Sequence, residues 1–143
     1  MPLSFIVYIL LGWLLFCNVA IAIVGRIWWM PVARRFPAER WPERGEGVRA
    51  GWQNVSLGFA NYGGVMHTVV AEEGLYLRPI RAFLFNHPPM MIPWSAMGMP
   101  RKTLFGGVEI SVEGGTRLRL RGKVERLVTD VLAAVSAGTA RPA

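Results

Sequence analysis

His67 and His87 are the only imidazoles in the chain, and Cys17 is its only thiol. A zinc-type site needs three or four ligands drawn from His, Cys and carboxylates. His67 has Glu72 and Glu73 nearby in sequence, but nothing there has ligand spacing. With Cys17 in an apolar run, the rest of the chain holds no thiol nucleophile or Cys-based zinc cluster, and a lone cysteine forms no disulfide within the chain. A Ser-His-acid relay lacks its G-x-S-x-G elbow. The stretches Asn61-Tyr62-Gly63-Gly64 and Phe105-Gly106-Gly107 lack the GK[ST] ending of a phosphate loop and read as turns.

One concentration of unusual residues remains: HPPMMIPW, from His87 to Trp94. Pro88 and Pro89 fix their own φ angles, and each proline biases the residue before it toward extended geometry. The octet reads as a stiff strand-to-strand corner, with His87 hydrogen-bonded locally and Met90, Met91, Ile92 and Trp94 packing. Methionines also build adaptable grooves. His87, Pro88, Pro89, Met90, Met91 and Trp94 therefore form a candidate interaction corner. No catalytic residue, metal or cofactor is expected. The competing reading is an enzyme or accessory subunit with a polar site near His67 or His87.

The elements that hold these residues begin with a hydrophobic run. From Leu3 to Val24 the chain carries no charged residue. About 20 helical residues cross a hydrocarbon core of roughly 30 Å, so residues 1–25 read as a transmembrane anchor. Ala20-Ile21-Ala22 resembles a cleavage site, but no Lys or Arg precedes the run, which favours an uncleaved anchor. Asn18 offers a hydrogen bond to a second copy. The net charge is +7, and arginines cluster from Arg26 to Arg49. Positive residues stay inside, which places the N-terminus outside and the remainder in the cytoplasm. Residues 26–51 read as a basic juxtamembrane linker broken by Pro31, Pro37 and Pro42, with a short helix from Pro31 to Phe36. Arg26, Trp28, Trp29, Arg34, Arg35, Phe36, Arg40 and Trp41 are its candidate membrane-interface residues. The same position explains the arginines without nucleic acid, which is not an expected partner.

Short β-like runs follow from Trp52, with a turn expected at Asn61–Gly64 and an end or edge at Pro79. Phe83–Phe85 and Met90–Trp94 flank the HPP corner. Val108, Ile110 and Val112, then Leu118 and Leu120, alternate with polar residues, as strands with one buried face do. A loop of Gly114 to Thr116 would set Val112 opposite Leu118 and Ile110 opposite Leu120. It would also set Glu113 opposite Arg117 and Glu109 opposite Arg121, neutralising part of the Arg stripe. A helix from Gly122 to Ser136 carries one apolar stripe. The expected architecture is an N-terminal transmembrane helix plus a mainly-β (α+β) domain at 52–137. That domain has about six or seven antiparallel strands and an amphipathic helix, with a tail at 138–143.

The series Gly74-Leu75-Tyr76-Leu77, His87-Pro88-Pro89 and Ile92-Pro93-Trp94-Ser95 resembles a pattern in small uncharacterised bacterial single-span membrane proteins. Their layout is similar to pleckstrin-homology-like and GRAM-like domains, in which a bent antiparallel sheet is capped by a C-terminal helix. The resemblance implies a non-catalytic interaction or scaffold role in a bacterial inner membrane. Its expected partners are the bilayer and another membrane or cytoplasmic protein. Peripheral recognition of anionic lipid by the juxtamembrane arginines is the alternative.

Overall fold

The computed structural model describes residues 1–81 and 87–138. Helix α1 covers Leu3–Val24, and the helical run continues past Pro31. A single π turn, Gly25–Trp29, leads into α2, Met30–Arg35. Together they form one helical run from Leu3 to Arg35. Pro31 falls in the first turn of α2, where its missing N–H costs little. The proline therefore marks where the helix restarts after the π turn.

The chain then enters an open, fully antiparallel sheet of seven strands in the order β4-β3-β2-β1-β7-β6-β5. The strands are β1 Val48–Leu57, β2 Ala60–Val70, β3 Gly74–Pro79, β4 Met90–Pro93, β5 Arg101–Lys102, β6 Val108–Val112 and β7 Thr116–Arg121. β1 starts at Val48, before the expected Trp52. A 3-10 turn at Trp94–Ala96 follows β4, and α3 spans Lys123–Ser136. An N-terminal helix plus a β domain with a terminal helix is thus the architecture. The expected run at Phe83–Phe85 lies outside the described residues.

The first hairpin turns at Gly58-Phe59, and Asn61–Gly64 lie inside β2. Gly58 has φ +60, and a Cβ there would collide with the Trp28 ring, so glycine is required. Gly63 and Gly64 lie within a bulge of β2, where the β1–β2 register shifts between Gln53 and Val55. Glycines that read as a turn in sequence serve an irregular strand instead. β3 does end at Pro79.

The β6–β7 register differs from expectation by a shift of the loop. Val112 pairs Thr116, Ile110 pairs Leu118 and Val108 pairs Leu120. Glu113, Gly114 and Gly115 form the loop, with positive φ at both glycines. The apolar rows still meet, because the shift moves each by a whole two-residue period. Glu109 ion-pairs Arg117 at 3.5 Å and Arg119 at 3.2 Å, in place of Arg121. Glu113 leaves the stripe and binds Arg35 at 2.8 Å.

One apolar core joins the inner sheet face to Trp29, Val32 and Ala33 of the leading helix and to Val124, Val128 and Leu132 of α3. The supposed linker thus supplies core. On α3, the side chain of Gln53 accepts a 3.3 Å bond from the Val124 amide, satisfying one of the helix's first N–H groups.

Candidate functional site

Helix and sheet bring the two histidines into separate aromatic clusters. The inner one is built where the π turn meets β2. Trp29 is fully enclosed; its ring lies 5.5 Å from Tyr62 and 5.6 Å from His87. Tyr62 Oη lies 2.9 Å from His87 Nε2, although the residues are far apart in sequence. Burial pushes the Tyr62 phenol up to about 12, so its hydroxyl stays protonated at neutral pH. Trp29 Nε1 donates to the Pro88 carbonyl at 2.7 Å. His87 is therefore bonded across the fold, to a residue outside its own corner.

The rest of the HPP corner is also packing. Met90, Ile92 and Trp94 are buried. Trp94 Nε1 is shared between the carbonyls of Ala71 at 3.1 Å and Glu72 at 3.0 Å. Of the expected interaction corner, only Pro88 is exposed, and Pro89 and Met91 are half-buried. His87, Met90 and Trp94 are committed to the interior and present no surface to a partner.

The outer cluster lies on the opposite face of β2 and β3. Phe36 to Ala38 run beside β4: the Met91 amide binds the Phe36 carbonyl at 3.0 Å, and the Ala38 amide binds that of Pro89 at 3.3 Å. This brings Trp41 across the sheet, stacked on His67 at 5.5 Å and edge-on to Tyr76 at 5.9 Å. The Arg78 guanidinium lies 4.2 Å from the centre of the Trp41 ring, a cation–π arrangement. Trp52 flanks His67 at 5.3 Å on its other side. Buried Nδ1 of His67 has no hydrogen-bond partner, nor does Nε1 of Trp41. Burial, then the charges of Arg78 and Arg49, hold His67 below the ordinary histidine range, so the ring is neutral at pH 7. Tyr76 donates to Glu73 at 2.5 Å; burial and that carboxylate push its phenol up to about 12.

The expected membrane-interface set is thus divided by the fold. Arg26 and Arg34 are exposed. Arg35 pairs Glu113, and Arg40 pairs Glu46 at 2.7 Å. Trp29 is core, whereas Phe36 and Trp41 pack on the sheet, because a continuous helix carries the segment onto the domain. Trp28 is half-buried, with its ring edge-on to Phe59 at 5.2 Å.

Clefts open on both sides of the Asn61–Gly63 segment. The first, about 350 Å³, lies between Ala20, Ile21 and Val24 of α1 and the Asn61–Gly63, Val65 and His87 side. The second, about 510 Å³, lies on the outer face of β1, β2, β6 and β7. Asn54, Asn61, Arg119 and Arg121 line it, and the turn from Thr103 to Gly106 forms its rim. Asn61 and Gly63 border both. At that rim Leu104 is 100% exposed and Phe105 89% exposed. Sequence reasoning took Phe105-Gly106-Gly107 only as a turn. The available signal was the order basic pair, apolar pair, glycine pair in Arg101-Lys102-Thr103-Leu104-Phe105-Gly106-Gly107.

No group of His, Cys, Asp or Glu among the described residues is arranged to hold a metal ion. The arrangement instead offers surfaces: an apolar rod, a basic cleft with an apolar rim, and an aromatic outer face. Comparison with models of known protein families, with curated proteins and with solved structures finds no match for this chain.

Proposed function

We propose that the chain is a single-span protein of a bacterial inner membrane whose cytoplasmic β module is a non-catalytic interaction or scaffold unit. The carrying observation is the helix from Leu3 to Arg35. Its apolar window has mean hydropathy 2.5 and is 0% buried, yet its far end lies in the core of the sheet. A helix apolar on every side with no protein covering it suits lipid, where its backbone groups are satisfied internally. Basic residues after the span support an outside N-terminus. The bent-sheet, pleckstrin-homology-like layout is supported by seven antiparallel strands with a C-terminal helix packed on β1, β2 and β7. The non-catalytic reading is supported by the engagement of His87 with Tyr62 and of His67 with two tryptophans. The exposed Trp52 offers the outer face an apolar contact for a protein partner.

Reporter fusions at both termini, with the mass of the mature N-terminus, test the placement. An exported C-terminus or a chain lacking residues 3–24 sinks it. Cross-linking in native membranes tests the interaction role, and recovery of the uncross-linked chain alone counts against it. Lipid recognition by the Arg26–Arg49 segment is the weaker reading, because Arg35 and Arg40 already face carboxylates.

A further inference from the structure

We propose that the β5–β6 turn is a second contact with the bilayer that holds α1. Leu104 and Phe105 enter the headgroup boundary, and Arg101, Lys102 and Arg121 meet the phosphates of anionic lipid. The inference rests on the membrane placement argued above and assigns the headgroup contact to a different part of the chain.

The first observation is an apolar pair displayed by a well-tied turn. Leu104 and Phe105 contribute nothing to the core at their exposures of 100% and 89%. Their backbone is nonetheless fixed. The Thr103 amide donates to the Gly107 carbonyl at 3.1 Å, the Gly106 amide to the Thr103 carbonyl at 3.3 Å, and Arg121 binds the Phe105 carbonyl. Gly107 has φ +81, and a Cβ there would come within 2.6 Å of the Leu120 carbonyl. Only glycine fits this approach, so the turn projects its two side chains with little freedom to fold them back.

The second observation is charge. Arg101 and Lys102 are exposed on one side of the turn, with Arg121 on the other. Glu109, the acid lining this cleft, is engaged by Arg117 and Arg119, so those three cations have no carboxylate partner among the described residues. Apolar side chains ringed by cations fit the boundary of an anionic leaflet, where the two attractions add. The third observation is position. Asn61 and Gly63 border this cleft and also the one whose other wall is Ala20, Ile21 and Val24 of α1. The cleft below the rim therefore adjoins the one walled by the span. Phe59, 87% exposed beside Trp28, adds an apolar contact where the helix leaves the span.

The test uses the full chain in nanodiscs of phosphatidylcholine mixed with phosphatidylglycerol. A nitroxide is attached to C17S/L104C, to C17S/A133C on exposed α3, or to native Cys17. Collision with oxygen is compared with collision with a water-soluble nickel chelate. The L104C label is expected to favour oxygen, and the A133C label nickel. Charge reversal in R101E/K102E should return the L104C label to the A133C value, and the neutral R101Q/K102Q, which sets no carboxylate opposite Glu109, should move it part of the way. A Cys17 label in lipid with an L104C label in water overturns the second contact alone and leaves the turn to a protein partner. A Cys17 label in water overturns the membrane placement and this proposal with it. Retained lipid contact in the charge-reversed chain overturns the headgroup assignment.

Discussion

His87 and His67 are the same residue in two opposed settings. His87 sits between the leading helix and β2, enclosed by Trp29 and Tyr62, with Nε2 bonded to a phenol. His67 sits on the outer face between Trp41 and Trp52, with Nδ1 buried and unpaired. The inner cluster ties two elements together through polar contacts inside an apolar shell. The outer cluster holds its ring by stacking and by exclusion of its charged form. The first setting should lose more on substitution than the second.

The sharpest way to break this contrast is Trp29→Ala. It removes the fully buried ring that joins helix to sheet, together with the bond to the Pro88 carbonyl. Large-to-alanine changes of this kind cost about 3–5 kcal/mol, readable as a fall in denaturant midpoint of the detergent-solubilised chain. Tyr62→Phe keeps the ring and deletes its hydroxyl, removing this buried partner of His87 at a cost of about 1–3 kcal/mol. An unchanged midpoint would deny the inner cluster its polar role.

His67 sharpens the comparison through pH. Its folded pKa lies below the ordinary value of 6.5, so as pH falls the unfolded chain takes up this proton first. The resulting stability is present above pH 6.5 and is lost as pH drops through the folded value. Midpoints measured across that window should fall in the wild type and flatten in His67→Phe, which keeps a stacking ring. Equal slopes would place the acid sensitivity elsewhere. The smallest effect is expected from Glu109→Gln, which removes exposed cross-strand pairs with Arg117 and Arg119 worth less than about 1 kcal/mol.

Period-two patterning was enough to read β6, β7 and the faces they bury, and the stripe of α3 was equally plain. The alternation is a direct imprint of burial on residue type. Register within the β6–β7 hairpin was harder, since neighbouring loop placements that differ by a full period bury the same side chains. The turn at Gly58-Phe59 was missed because Asn61–Gly64 has stronger turn chemistry. The signal for glycine at Gly58 is the Trp28 ring against it, which a local reading does not place there. Trp29 and Trp41 read as membrane-belt residues because their neighbours are arginines. The π turn and the crossing of Phe36–Trp41 over the sheet are long-range outcomes without local signature. The His87–Tyr62 bond likewise depends on the folded arrangement that brings together residues from distant parts of the sequence.

The unbroken backbone from Leu3 to Arg35 sets a working height. Its 33 residues amount to about 50 Å of helix at 1.5 Å per residue. In the proposed placement roughly 30 Å of that is within hydrocarbon, so about 20 Å remains as a stiff spacer buried in the module it carries. A tethered domain on a loose strand sweeps a volume and samples every orientation. In that placement this one would keep a fixed side toward the lipid, and a binding partner would have to arrive at a set distance from the membrane and from a set direction.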